Sequence, residues 1–288
     1  KLNNNGDTLW PANGVAATPI VSGVYQYYKL VPDGAGGVYV VWRGAFMDFN
    51  GDGDVADAGE YFGTYRIYVQ RLDGNGNPLW GAPVRVVTFD HDLNGPAAVS
   101  DGAGGVIIAW LGDYPNWHVS RDPTVDTVAV QRINGAGNRL WTDNGRLIFE
   151  PWDEVADSAS GSVSGNISPI ALAEDGAGGA FVAWSYWPLG GPISTARVNV
   201  ARINANGARL AGAYNQEGAY AGDVYNSNPP DFKMVPDGLG GAILAWQGGD
   251  SSDFNIYAQR VGQNGLVVWQ AGGAPVSTAP GGQGMVIG

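Results

Sequence analysis

Asp101-Gly-Ala-Gly-Gly105, followed at once by Val106-Ile-Ile-Ala-Trp110, is written four times in this chain. The other copies are Asp33-Gly-Ala-Gly-Gly37 with Trp42, Asp175-Gly-Ala-Gly-Gly179 with Trp184, and Asp237-Gly-Leu-Gly-Gly241 with Trp246. Each copy reads as a glycine turn feeding a short apolar strand that ends in tryptophan. A second strand closing on arginine follows each one: Ile67–Arg71, Val128–Arg132, Val198–Arg202 and Ile256–Arg260. A self-similar period of this kind marks a repeat architecture.

Beyond the arginine comes a second turn ending in tryptophan, as in Arg71-Leu-Asp-Gly-Asn-Gly76-Asn-Pro-Leu-Trp80 and Arg132-Ile-Asn-Gly-Ala-Gly137-Asn-Arg-Leu-Trp141. Lys1 to Trp10 matches the same pattern. Counted from that basic residue, a single domain over 1–288 divides into units of about 1–70, 71–131, 132–201 and 202–259, with a terminal element 260–288. Opening in mid-strand at Lys1 implies that the intact protein continues upstream or is cut there.

Four strands are expected per unit. The first follows the tryptophan turn (Gly81–Thr88, Gly145–Ile148) and the second precedes the glycine turn (Pro96–Ser100, Pro169–Ala173). The tryptophan strand and the arginine strand complete it. Side chains alternate along a strand, so Val38, Val40 and Trp42 share one face, and Ile67, Val69 and Arg71 another. Glycines at positive φ are expected to allow two-residue reversals between strands.

Antiparallel units spaced 58 to 70 residues apart, with both strand faces apolar, predict an all-β fold: a β-propeller of four-stranded antiparallel blades, four blades in this chain. Radial packing buries both faces of each blade and protects its edges. The first-strand element occurs a fifth time at Trp269–Ser277, so a four-bladed ring has one strand to spare.

Composition bounds the function. Glycine supplies 46 of 288 residues, but 44% hydrophobic content and 11 tryptophans exclude a disordered chain. Fifteen basic against 27 acidic residues give a net charge of −12. That charge opposes nucleic-acid partners and anionic membrane surfaces and suits cation binding. No apolar run reaches the roughly 18 residues of a membrane-spanning helix, so no insertion is expected. The absence of cysteine removes disulfides, thiolate metal sites and a cysteine nucleophile.

The pattern Asp-Gly-x-Gly-Gly-x4-Trp, then Tyr-x-Gln-Arg-Leu, then Gly-Asn-x-x-Trp, resembles propeller-like repeats of large secreted or surface-attached bacterial proteins. The resemblance implies an extracellular or cell-surface setting and little chemistry. The third unit departs from it, with Ala201 in place of glutamine and Ala211 in place of tryptophan. Looser packing is expected there. The turn Asp73–Trp80 is also similar to the aspartate box of sialidase-type propellers, but its glycine falls one place early and the serine is absent.

Units differ chiefly in inserts at 44–63, 111–125, 149–165, 185–195, 213–229 and 247–254, and sites on scaffolds sit on such loops. The sharpest is Asp48-Phe-Asn50-Gly-Asp52-Gly53-Asp54-Val-Ala-Asp57-Ala-Gly-Glu60. Calcium takes six to eight oxygens, and carboxylates on alternate positions of a turning loop supply them together. Asp48, Asn50, Asp52 and the Asp54 carbonyl hold that spacing around Gly53, and Asp57 or Glu60 would complete a structural Ca²⁺ site. The alternate spacing and central glycine favour the metal over a solvated acidic turn. The far end departs from a calcium loop of the EF-hand kind, which this one resembles, and no helices flank it.

Other inserts carry aromatics that repeat packing does not demand: Tyr114, Trp117, Trp152, Tyr186, Trp187, Tyr220 and Tyr225. Exposed rings beside Asn and Asp grip sugars or peptides, so these are the ligand-binding candidates, against plain loop packing. The repeated tryptophans read as inter-blade packing. Asp33, Asp101, Asp175 and Asp237 read as caps of their own turns. Arg71, Arg132, Arg202 and Arg260 read as partners of turn carbonyls and of those aspartates. His91 and His118 fall in different units, and the loop acids Asp113, Asp153, Glu154 and Asp157 show no pairing that sequence can establish.

The leading expectation is a non-catalytic extracellular binding or adhesion scaffold, with a polysaccharide or surface protein as partner. The alternatives are a self-assembling structural subunit, associating through its terminal strands, and a carbohydrate-active glycosidase or lyase. The calcium expectation is directly testable. Titration of EGTA-treated protein should show Ca²⁺ binding and a ligand-linked rise in thermal midpoint that Asp52→Ala abolishes. Absence of binding, or an unchanged isotherm for Asp52→Ala, rejects the site.

Overall fold

The turn Asp101–Gly105 explains the whole architecture locally. Gly102 and Gly104 adopt φ of 70° and 82°, where a side chain is strained. Asp101 Oδ1 accepts the backbone N–H groups of Ala103 (2.8 Å) and Gly105 (2.6 Å). Asp101 N–H donates to the Gly105 carbonyl at 3.1 Å. A Cβ on Gly105 would lie 2.5 Å from the Ile133 carbonyl oxygen, so this position excludes every other residue. The expected two-residue reversal is therefore a five-residue one, with Ser100 opposite Val106 as the first pair beyond it. The carboxylate satisfies amides that a tighter turn would not have left over.

In the computed structural model, residues 1–11, 13–17, 25–44, 65–88, 93–112, 127–149, 168–186, 195–210, 218–225, 231–250 and 253–277 are described. They form antiparallel strands and turns. The first sheet is β1 (Tyr25–Pro32), β2 (Val38–Gly44), β3 (Arg66–Leu72) and β4 (Val84–Arg85), in that order. The second is β5 (Leu93–Ser100), β6 (Val106–Gly112), β7 (Thr127–Ile133) and β8 (Arg146–Phe149). The third holds β9 (Ser168–Glu174), β10 (Ala180–Tyr186) and β11 (Thr195–Ile203), with β12 (Arg209–Leu210) and β13 (Ala219–Tyr225) both paired to β11. The fourth is β14 (Phe232–Pro236), β15 (Ala242–Asp250), β16 (Asp253–Val261) and β17 (Ala274–Ser277).

The strand after each tryptophan turn corrects the expected grouping. Val84 and Arg85 pair with Val69 and Tyr68, so this strand closes the sheet before it rather than opening the next. The fifth copy, Trp269–Ser277, is likewise no spare: β17 pairs with β16 and completes the fourth sheet. The unmatched element lies at the other end. Lys1 to Asp7 folds the repeat's second turn, with a lone Leu2–Thr8 bridge and no strand of the described sheets beside it.

Sheets pack face to face in chain order. Val106, Ile108 and Trp110 bury against Tyr39, Val41, Ile67 and Val69 of the first sheet. Ile107, Ala109 and Leu111, on the opposite face of β6, join Val182, Trp184 and Ile203 of the third. Phe181, Ala183 and Val198 then meet Leu244 and Trp246 of the fourth. All seven residues of β6 and of β10 are buried, which is why both faces read as apolar. The fourth sheet is less buried on one face: in β15, Ala242, Leu244 and Trp246 are buried while Ile243, Ala245 and Gln247 are half-buried. Among the described residues, Trp42 packs with Tyr68 and Val40 of its own sheet, and no core joins the fourth sheet to the first.

The opening strands of the four sheets run beside one another and line one cavity of about 460 Å³. Placement in the cores sets expected costs. Trp110→Ala removes a fully buried ring and should lower unfolding free energy by about 3–5 kcal/mol. Val235→Ala, on an exposed face, should cost under about 0.5 kcal/mol. Urea unfolding that ranks the two equally would contradict this packing.

Candidate functional site

Along β1 the ladder slips. Gln26 pairs with Arg43 and Lys29 with Val41, leaving Tyr27 and Tyr28 together opposite Trp42. The same bulge occurs in β5, where Gly95 and Pro96 stand opposite Trp110, and in β9, where Pro169 and Ile170 stand opposite Trp184. In β5 the first bulge residue is Gly95 at φ 54°, and in β1 it is Tyr27 at φ 56°. Tyr27 is the one positive-φ residue other than glycine among those described. A tyrosine in that region costs on the order of 1–2 kcal/mol, and packing does not offset it, since Tyr27 is 56% and Tyr28 61% exposed.

Arg43 fixes the approach to the bulge. Its Nε donates to the Leu93 carbonyl at 2.6 Å and its Nη1 to Gln26 Oε1 at 2.8 Å, and the guanidinium lies 3.6 Å from the Tyr65 ring centroid. A buried cation thus ties the residue before Tyr27 to the start of the second sheet. Beyond the bulge, strand alternation puts Tyr28, Leu30 and Pro32 on one face of β1. Leu30, Val31 and Pro32 of β1 line the cavity. Opposite them the lining is Ala98, Val99, Leu172, Ala173 and Met234, with Ser100 and Glu174 as the polar groups. Among the described residues one carboxylate, that of Glu174, lies in this lining.

The repeat acids are occupied structurally. Asp33 Oδ2 accepts Arg71 Nε (3.0 Å) and Nη2 (2.8 Å), and its Oδ1 accepts Ala35 and Gly37 N–H. Arg132, Arg202 and Arg260 pair with Asp101, Asp175 and Asp237 at 2.7–2.8 Å. Arg71 Nη1 then reaches the Gly135 carbonyl of the next repeat, which Trp80 Nε1 shares. Arg132 and Trp141 share the Ala205 carbonyl in the same way.

Of the sequence-derived ligand candidates, Tyr186 is corrected. It is 3% exposed, packed in the core against Phe149 at 4.9 Å between ring centroids, because it extends the buried face of Val182 and Trp184. Tyr220 is exposed on β13 opposite Asn199. Tyr225 closes β13 opposite Thr195, and its side chain lies outside the description. Tyr114, Trp117, Trp152 and Trp187 lie outside the described residues, as do Asp48, Asn50, Asp52, Asp54, Asp57 and Glu60. Among the described residues no three His, Cys, Asp or Glu side chains gather as a metal site. Sequence reading passed over Tyr27 and Tyr28, although aligning the repeats sets them against Gly95 and Pro96.

No family model and no curated protein sequence matches the chain. Among solved structures, it is similar to a PL25 polysaccharide lyase, an ulvan lyase bound to a GlcA(1-4)Rha3S saccharide, at 11% identity and a TM-score of 0.41, over 85% of this chain and 52% of that one. The polysaccharide lyase Uly1 gives 10% and 0.41, over 87% and 56%. A glycoside hydrolase of the GH130 mannoside phosphorylase family, which targets β-1,2 mannosidic linkages in Candida mannan, gives 11% and 0.34, over 88% and 71%. The chain spans about half the length of the two lyases. Likeness at this level fixes neither a family nor a chemistry.

Electrostatics of the turn yield a pH dependence. Burial raises the Asp33 pKa, but the amides of Ala35 and Gly37 and the Arg71 guanidinium outweigh it, holding the carboxyl below its ordinary value. A folded-state pKa below the unfolded value, about 3.9 for Asp, contributes stability above that pH and loses it as pH falls through the folded pKa. Asp33→Asn should therefore be less stable than wild type at pH 7, with the gap narrowing below about pH 4. Thermal unfolding between pH 7 and 2 checks this, and a gap that widens on acidification contradicts it.

Proposed function

We propose that the four sheets are blades of a propeller-type repeat scaffold that binds a neutral polysaccharide through exposed tyrosines and does not cleave it. The observation that carries this reading is Tyr27, an exposed ring on positive-φ backbone that the second repeat fills with Gly95. Strain retained without a packing return points to a role outside the fold. Tyrosine suits it, since its flat apolar face stacks on sugar C–H groups while its hydroxyl meets solvent or a sugar hydroxyl. A net charge of −12 disfavours sulfated or uronate-rich chains and leaves neutral glycans as the partner class. The Ca²⁺ site at Asp48–Glu60 and the extracellular or cell-surface setting implied by the repeat resemblance belong to the same reading.

Calorimetry against a panel of neutral and anionic polysaccharides tests it. Tyr27→Gly should weaken binding at least tenfold while leaving stability unchanged or higher by up to about 1 kcal/mol, because it relieves the left-handed strain. New reducing ends or unsaturated uronate absorbance during incubation would instead establish catalysis. Unchanged binding in Tyr27→Gly and Tyr28→Ala would reject the tyrosine site.

A further inference from the structure

The cavity between the opening strands is layered by the repeat. The residues just before the four capping aspartates, Pro32, Ser100, Glu174 and Pro236, all line it, so each repeat contributes one residue to the same layer. Two residues further back along the strands the layer is apolar throughout, Leu172 and Met234 included. A space of about 460 Å³ with apolar walls and a few polar groups has the make-up of a small-molecule site. The walls around Glu174 are internal to the chain, since β9 touches both β5 and β14. Residues 93 to 236 therefore build that side of the cavity.

In that first layer three positions are neutral and Glu174 alone is charged. It is half-buried, and among the described residues its carboxylate takes no hydrogen bond and no ion pair. The carboxylates that the repeat requires are answered: Asp175, next in sequence, is held by Arg202 at 2.7 Å. Lys233 on the flanking strand β14 is taken by Asp231 at 3.3 Å instead. A charged group beside apolar walls gives up hydration, and here no protein cation or donor restores it. Repeat packing does not account for the acid, because the other repeats fill its position with proline or serine.

We infer that this cavity binds a small organic cation, a primary ammonium on an apolar body, with its nitrogen on the Glu174 carboxylate and its body against Leu172, Ala173 and Met234. Opposite charges attract more strongly at an apolar wall than in water, and an N⁺–H···O⁻ bond is stronger than a neutral one. An ammonium carries three donors, and β5, β9 and β14 are each the edge strand of their sheet, with main-chain acceptors that no ladder uses. A neutral apolar molecule would leave the carboxylate stripped of water without a partner, and an anion would meet like charge. The net charge of −12 acts in the same direction by drawing cations toward the protein. The site stands apart from the glycan reading, which rests on the β1 bulge.

Calorimetric titration of the 288-residue chain with hexylammonium at about pH 7, where the amine is charged, tests the proposal. Saturable one-to-one binding is expected. Hexanol and hexanoate, which share the apolar body, and methylammonium, which shares the charge, should each bind at least tenfold more weakly. Glu174→Gln should weaken hexylammonium binding at least tenfold while its thermal midpoint matches wild type. No saturable binding of hexylammonium, or binding no tighter than that of hexanol or methylammonium, would overturn the proposal without recourse to any variant. Binding unchanged in Glu174→Gln, the result expected if net charge alone gathers the cation, would overturn it equally. None of these readouts involves Tyr27 or a glycan.

Discussion

One carboxylate per repeat holds this structure together. Asp33, Asp101, Asp175 and Asp237 each cap the turn they begin with one oxygen and take an arginine with the other. In the first three repeats that arginine, fixed by the carboxylate, donates its remaining nitrogen to a carbonyl of the following repeat. Local turn geometry, sheet identity and sheet-to-sheet spacing are thus set by one chain of charge-assisted hydrogen bonds, stronger than neutral ones. The apolar cores between sheets supply most of the stabilisation, and the polar relay supplies the register in which they pack.

Much of this was legible because the sequence writes it repeatedly. The glycine pairs, the capping aspartates, the arginine partners and the buried tryptophans recur at fixed offsets, and each offset has one physical reading. The cut point between sheets was not legible, since a period looks the same wherever it is divided. Only the pairing of Val84 with Val69 shows that the strand after the tryptophan turn closes the earlier sheet. Tyr186 was misplaced for a related reason. Counted as insert, it looked free to bind, but two more steps of alternation past Trp184 put it in the core. Tyr27 and Tyr28 sit in a bulge, and a bulge breaks the period-2 reading that sequence patterning relies on.

A scaffold of this kind separates duties. The four repeat aspartates and their arginine partners hold turns, and the exposed residues that the repeat does not require are a separate set. Tyr27 and Tyr28, at the start of the first sheet, belong to that second set.

A double-mutant cycle on Asp101 and Arg132 tests the central claim most directly. Urea unfolding of Asp101→Ala, Arg132→Ala and the double variant gives the coupling between the two side chains free of their separate packing. If the carboxylate–arginine relay organises the repeat, the coupling should be about 1.5–3 kcal/mol, the range for hydrogen bonds to charged groups. A coupling under about 0.5 kcal/mol, the level of an exposed surface pair, would show that the cores alone set the arrangement.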